Sequence, residues 1–180
     1  MEGVYELPEG VEANLVGKKL IVKGPLGQVE RDFAKMPLVN LKVEGKKIKV
    51  EVEGNKRRQK MMLNTALAHI RNMVIGVTKG YRYKLAIVHV HFPIRVRVQG
   101  DEIIVENFLG EKTPRKTWKY PDVEVKVKGK EIIVEGLDIE HVGQTAANLE
   151  QVTRIRAKDR RIFRDGIYLV ERGFMHEEEV

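Results

Sequence analysis

The chain has 180 residues and a formal net charge of +7, with 42% apolar and 33% charged residues. That apolar share supports folded domains and excludes wholesale disorder, and the length falls between one domain and two. Neither cysteine nor serine occurs, so disulfides, thiolate catalysis, cysteine–zinc sites and Ser-His-Asp chemistry are excluded.

The opening Met1-Glu2-Gly3-Val4-Tyr5 has neither the basic nor the apolar region of a signal peptide. No window approaches the run of about 18 apolar residues that a membrane span needs. The expectation is a soluble, cytoplasmic protein with no membrane partner. Charged residues exceed the usual share of about 25%, which suits surfaces laced with ion pairs, as in proteins from hot environments.

Along the chain, Gly17 to Gly27 (GKKLIVKGPLG) returns as Gly100 to Gly110 (GDEIIVENFLG). Val43 to Glu51 (VEGKKIKVE) returns as Val127 to Glu135 (VKGKEIIVE). The offsets are 83 and 84 residues; two matches in the same order and nearly in phase mark an internal duplication. Leu41, Val43, Ile48, Val50 and Val52 alternate with charged residues about Gly45-Lys46, the pattern of a half-buried antiparallel hairpin. Met62, Leu63, Ala66, Leu67, Ile70 and Met73 then recur at helical spacing, with Gly76 the expected stop. Tyr81 to Pro93 reads as a strand closing the first sheet, with Pro93 leading into the second copy.

In that copy Val123, Val125 and Val127 alternate ahead of Gly129-Lys130, and Ile132 and Val134 after it. Ala146, Leu149, Val152 and Ile155 follow as a thinner helical stripe. A helix laid on one face of a small antiparallel sheet completes a core. The expected fold is therefore α+β, two tandem duplicated domains of that kind. The boundary is expected between Thr78 and Phe92, giving domains 1–80 and 81–180. Residues 177–179, all Glu, read as a solvated acidic tail.

A positive balance points towards a polyanion, and its placement says more than its sum. Lys56, Arg57, Arg58 and Lys60 lead into the first helix, where cations oppose the helix dipole. Lys112, Arg115, Lys116 and Lys119, expected as further RNA contacts, crowd a loop that also carries Pro114 and Trp118. Trp118 is read first as a packing residue of the core and second as a platform for a splayed base. Arg154, Arg156, Lys158, Arg160, Arg161 and Arg164 place six cations within eleven residues, with Asp159 the one acid among them. Such a run repels itself unless an anion compensates, and arginine binds phosphate bidentately and stacks on bases. This cluster is read first as a nucleic-acid contact and second as an ordinary charged surface.

The stretch Gln151 to Arg172 (QVTRIRAKDRRIFRDGIYLVER) resembles the C-terminal signature of the L-six family of archaeal and eukaryotic large-subunit ribosomal proteins. Its spaced Gln, Lys, Arg, Phe, Asp-Gly and Tyr fall where that pattern has them. The resemblance extends over the whole chain, since that family also consists of two duplicated α+β domains. It implies a structural, non-enzymatic constituent of the large subunit. The implied partners are 23S-type ribosomal RNA near the sarcin–ricin loop and stalk base, neighbouring ribosomal proteins, and translational GTPases docking nearby. It implies no cofactor and no homo-oligomer. Carried onto this sequence, it nominates Arg154, Lys158, Arg161, Arg164 and Arg172 as phosphate or base contacts. It leaves Phe163 and Tyr168 as packing residues beside a turn formed by Asp165-Gly166.

Two other readings compete. A metal-dependent nuclease would need clustered ligands; His89 and His91 share one strand face, but no third ligand is evident, and Asp138, Glu140 and His141 make no better case. No glycine-rich phosphate loop is present. A free-standing RNA binder or RNA chaperone would have the same charge and salt dependence, and separates from a ribosomal protein by failing to co-sediment at fixed stoichiometry.

Overall fold

The structure, a computed structural model, describes residues 1–176 apart from 91, 157, 159 and 160. The acidic stretch 177–179 lies outside the described residues. The chain divides into two compact units, Met1–Gly80 and Tyr81–Val180.

The first unit contains β1 (Glu2–Glu6), β2 (Glu12–Val16), β3 (Lys19–Gly24), β4 (Gly27–Asp32), β5 (Val39–Glu44), β6 (Lys47–Val52) and α1 (Arg57–Thr78). Its strands form two antiparallel sheets, ordered β1-β6-β5 and β2-β3-β4. The second unit contains β7 (Tyr81–Val88), β8 (Arg95–Gln99), β9 (Glu102–Glu106), β10 (Arg115–Trp118), β11 (Glu124–Lys128), β12 (Glu131–Gly136), α2 (Ile139–Val152) and β13 (Gly166–Phe174). It repeats the plan as β10-β9-β8 and β11-β12-β7-β13, also antiparallel. Both units are thus α+β, built by duplication, and β13 is the added element of the second.

The duplication is exact enough in the backbone to be read from four turns. Gly17 and Gly100 sit at φ 63° and 60° between β2–β3 and β8–β9; Gly45 and Gly129 sit at 58° and 59° between β5–β6 and β11–β12. A left-handed turn residue between short strands favours glycine, which has no Cβ to clash. The tight turns in turn hold the register that sends Ile48, Val50 and Val52 inward and Lys47, Lys49 and Glu51 outward.

The strand at Tyr81–Val88 corrects an expectation. It was expected to close the first sheet, but it pairs with β12 and β13 in the second unit. The reason is the phase of the repeat: β7 opens the second copy as β1 opens the first, each pairing with the second strand of the following hairpin. Its inward Leu85 and Ile87 are buried with Ile132, Val134 and Ile167.

Each helix covers its unit's sheets along one apolar stripe. Leu63, Ala66, Ile70, Val74 and Val77 of α1 are buried over a core that includes Leu20, Val22, Ile48 and Val50. Burying a side chain of this size contributes roughly 1.5–3 kcal/mol. The helix does not stop at Gly76, which lies buried inside it. It ends at Thr78, and Gly80, φ 69°, closes it from beyond the cap, its N–H donating to Ile75 O and Gly76 O at 3.2 and 3.1 Å. In α2 the Asp138 carboxylate caps the first turn by accepting from Glu140 N at 2.9 Å. Val142, Ala146 and Leu149 face inward. Ile155, expected on that helix, lies beyond its end yet is buried.

Candidate nucleic-acid interface

Between α2 and β13 the chain runs for thirteen residues, 153–165, as turn and irregular backbone among the described positions. What gives this loop a shape is the pinning of its two ends. Thr153, buried, accepts from Ile167 N at 3.0 Å and donates back to Glu150 O at 3.2 Å. Glu150 accepts from Leu169 N at 2.7 Å, and the Tyr168 hydroxyl donates to Arg164 O at 2.9 Å. Asp165 is wholly buried and accepts from Val90 N at 3.2 Å. Ile155 and Ile167 fill the space beneath.

On that pinned base the cations point outward. Arg154, Arg156, Lys158, Arg161 and Arg164 are exposed, and Arg172 is exposed on β13. Lys158 Nζ lies 4.7 Å from the centre of the Phe163 ring, and the Arg172 guanidinium 5.9 Å from that of Tyr83. Beside them is a groove of about 350 Å³ lined by Gln151, Arg154, Ile155, Phe163 and Tyr168 among others. Arg160 lies outside the described residues. Exposed guanidinium and ammonium groups over a rigid base suit an extended polyanion, since phosphate contacts need donors held in place but no enclosing cavity.

The loop before β10 behaves differently from its charge content. Arg115 turns inward: Nε donates to Glu111 Oε2 at 2.9 Å and Nη2 to Oε1 at 2.7 Å. Its Nη1 reaches Val152 O at 3.0 Å and Arg154 O at 2.8 Å. The guanidinium also lies 4.5 Å from the centre of the Phe108 ring. Four of its five N–H donors are therefore engaged within the unit, and its side chain is 23% exposed. The Arg115 bond holds the Glu111 carboxyl below the usual carboxylate range, against a smaller opposing push from burial. Lys119 is likewise turned in: its Nζ donates to Val123 O at 2.8 Å, and its side chain is 11% exposed. Lys112 and Lys116 remain exposed, Lys116 standing 3.7 Å from Glu102.

The family model described as "Ribosomal protein L6" matches twice, over residues 7–80 and 92–166. Curated relatives named "Large ribosomal subunit protein uL6" include one from Ignicoccus hospitalis, 49% identical over 97% of this chain and 96% of its own length. Another, from Staphylothermus marinus, is 50% identical over 94% of this chain and 95% of its own length. A third, from Sulfurisphaera tokodaii, is 46% identical over 97% and 94%. The chain belongs to the ribosomal protein L6 family. The two family matches begin just after β1 and a few residues after β7, so the opening strand of each copy lies outside both. The second match takes in the whole cationic loop and ends where β13 begins.

Several individual expectations fare differently in this geometry. Arg115 and Lys119, expected among the RNA contacts, are both engaged within the unit. Sequence offers no sign of that, because a carbonyl partner leaves no mark on residue type. Trp118 is not a core anchor: it is 49% exposed and meets Tyr120 edge-on at 5.0 Å. Tyr120 stacks on His141 at 3.9 Å, and His141 Nδ1 lies 2.7 Å from Asp122 Oδ2. Asp165-Gly166 is not a tight turn, since Asp165 is a buried acceptor and Gly166 starts β13. Tyr168 is partly exposed and works through its hydroxyl more than by packing. Among the described residues no group of three His or acidic side chains is placed to hold a metal; His91 lies outside them. The residues missed by sequence reasoning are Thr153 and Glu150, whose roles depend on which backbone groups face them.

Proposed function

We propose that this protein is a non-enzymatic structural constituent of the large ribosomal subunit, acting in the cytoplasm. It binds 23S-type ribosomal RNA near the sarcin–ricin loop and stalk base, among neighbouring ribosomal proteins and beside the docking region of translational GTPases. The observation that carries this reading is the 153–165 loop, with its ends tied by Thr153, Glu150 and Arg115 and its cations turned to solvent. Family membership supplies the ribosomal setting. In this reading Arg154, Arg156, Lys158, Arg161, Arg164 and Arg172 meet phosphates or bases, with Lys112 and Lys116 flanking; Arg160, in the same run, belongs with them. Arg115 and Lys119 act by shaping the surface.

Phosphate neutralisation releases counterions, so affinity should fall steeply with salt, by roughly a thousandfold or more between 50 and 200 mM for about 6–10 contacts. The test is RNA crosslinking of the chain within purified large subunits, mapped to nucleotide and residue. Crosslinks between Arg154 and Arg172 to RNA near the sarcin–ricin loop support the reading. Crosslinks confined to scattered cellular RNA, with no enrichment in large subunits, favour a free-standing RNA binder instead.

A further inference from the structure

The unit that holds the cationic loop is not the unit that carries the net charge. In residues 1–53 nine Lys/Arg balance nine Asp/Glu, so that stretch is neutral. From Gly54 to Gly80 there are six Lys/Arg and no acid at all, which gives the first unit its whole +6. The second unit, with 18 cations and 17 acids, carries only +1.

This excess lies on α1 and at its two ends, Lys56 and Lys79, and its charges are unlike those of the sheets. On the strands, several cations are matched by acids across the ladder: Lys19 with Glu30 at 2.9 Å, Lys49 with Glu2 at 3.0 Å, Arg97 with Glu106 at 3.1 Å. Lys56, Arg57, Arg58, Lys60 and Arg71 are all exposed, and no hydrogen bond or ion pair of theirs to an acid occurs among the described residues. At 100° per residue, Arg57, Lys60, Asn64 and Arg71 fall within one narrow arc. That arc is opposite the buried Ala66, Ile70 and Val77. Arg57 to Arg71 spans about 21 Å of helix axis. The face therefore offers a straight row of donors on a rigid element, anchored by the core behind it.

We infer that the outward face of α1 is a second RNA-contacting surface, binding the phosphate backbone independently of the C-terminal loop. Charge complementarity favours a polyanion, and the composition of the face favours nucleic acid over a protein. Protein interfaces centre on an apolar cluster, whereas here Met61 is the one large exposed apolar side chain on the helix and amide, hydroxyl and cationic groups make up the rest. Such groups are the usual partners of phosphate oxygens. The surface positions the first unit on RNA without reading sequence. The identity of the polyanion as ribosomal RNA rests on the proposed function.

The chain has no cysteine, so a single introduced thiol can carry a photoactivatable crosslinker. Asn64→Cys on α1 and Ile162→Cys in the C-terminal loop are compared in large subunits assembled with the full chain. RNA captured from both positions supports the inference. RNA captured at Ile162→Cys, with only protein or nothing at Asn64→Cys, overturns it and leaves the proposed function standing. No RNA at either position overturns both. Independently, replacing Arg57, Lys60 and Arg71 with Gln in the full chain should lessen the log–log salt slope of binding to isolated large-subunit RNA by about 2–3. An unchanged slope overturns the inference.

Discussion

Replacing Arg115 separates a residue that shapes the interface from one that touches RNA. The Arg115→Ala change removes two bonds to the carbonyls of Val152 and Arg154, at 3.0 and 2.8 Å. It also removes the bidentate pair with Glu111 and the contact with the Phe108 ring. The bond to Val152 O is part-buried and that to Arg154 O exposed; both come from a charged donor, so each is worth about 1 kcal/mol. The Glu111 pair is solvent-facing and adds at most about 1 kcal/mol, and the ring contact about 0.5 kcal/mol. Allowing for non-additivity, the loss is about 2–4 kcal/mol. Lysine keeps the charge but offers no planar fork, so Arg115→Lys should recover only a minor part. The assay is urea unfolding followed by the fluorescence of Trp118, the chain's sole tryptophan, which lies three residues away in β10. With an m-value of about 1–3 kcal/mol per molar, the midpoint should fall by about 1–2 M for both variants. Lys116→Ala, on the exposed side of the same strand, should stay within about 0.5 kcal/mol. If Arg115→Ala unfolds like the unaltered chain while its RNA salt slope flattens, Arg115 is an RNA contact and the assignment as a tie is wrong.

Substituting Arg154, Arg161 and Arg164 together by Ala should lower the log–log salt slope of RNA binding by about 2–3, with circular dichroism unchanged; retention of the full slope removes these residues from the interface. Asp165→Ala leaves the Val90 N–H without its acceptor and should cost about 1–3 kcal/mol, with faster amide exchange at Val90 as the local check. The Glu111 carboxyl is held low by Arg115, so its contribution is fully present above the unfolded carboxylate pKa and fades as pH falls through the lower folded value. The stability gap between the unaltered chain and Glu111→Gln should therefore be widest near neutrality and close in strong acid. A gap that persists unchanged into strong acid contradicts the Arg115–Glu111 tie.

The pattern of hairpins and helices was legible because it rests on short-range chemistry. Alternation about Gly45 and Gly129 defines both a buried face and a turn, and the offsets of 83 and 84 residues expose the duplication before any coordinate is known. The cationic run after α2 was legible for a similar reason: like charges concentrated in one loop are a property of composition alone.

The sequence by itself determined the class of fold, the duplication and the charge of the proposed interface. Tertiary structure alone decided the rest. It assigned Tyr81–Val88 to the second unit, because strand partnership depends on which edge is free rather than on the strand's own residues. It turned Arg115 and Lys119 inward and left Trp118 half in solvent. It buried Asp165 as an acceptor for a residue 75 positions away. These outcomes share one physical cause: a hydrogen-bonding side chain is placed by the backbone group that comes to face it, and that group is chosen by the packing of distant elements.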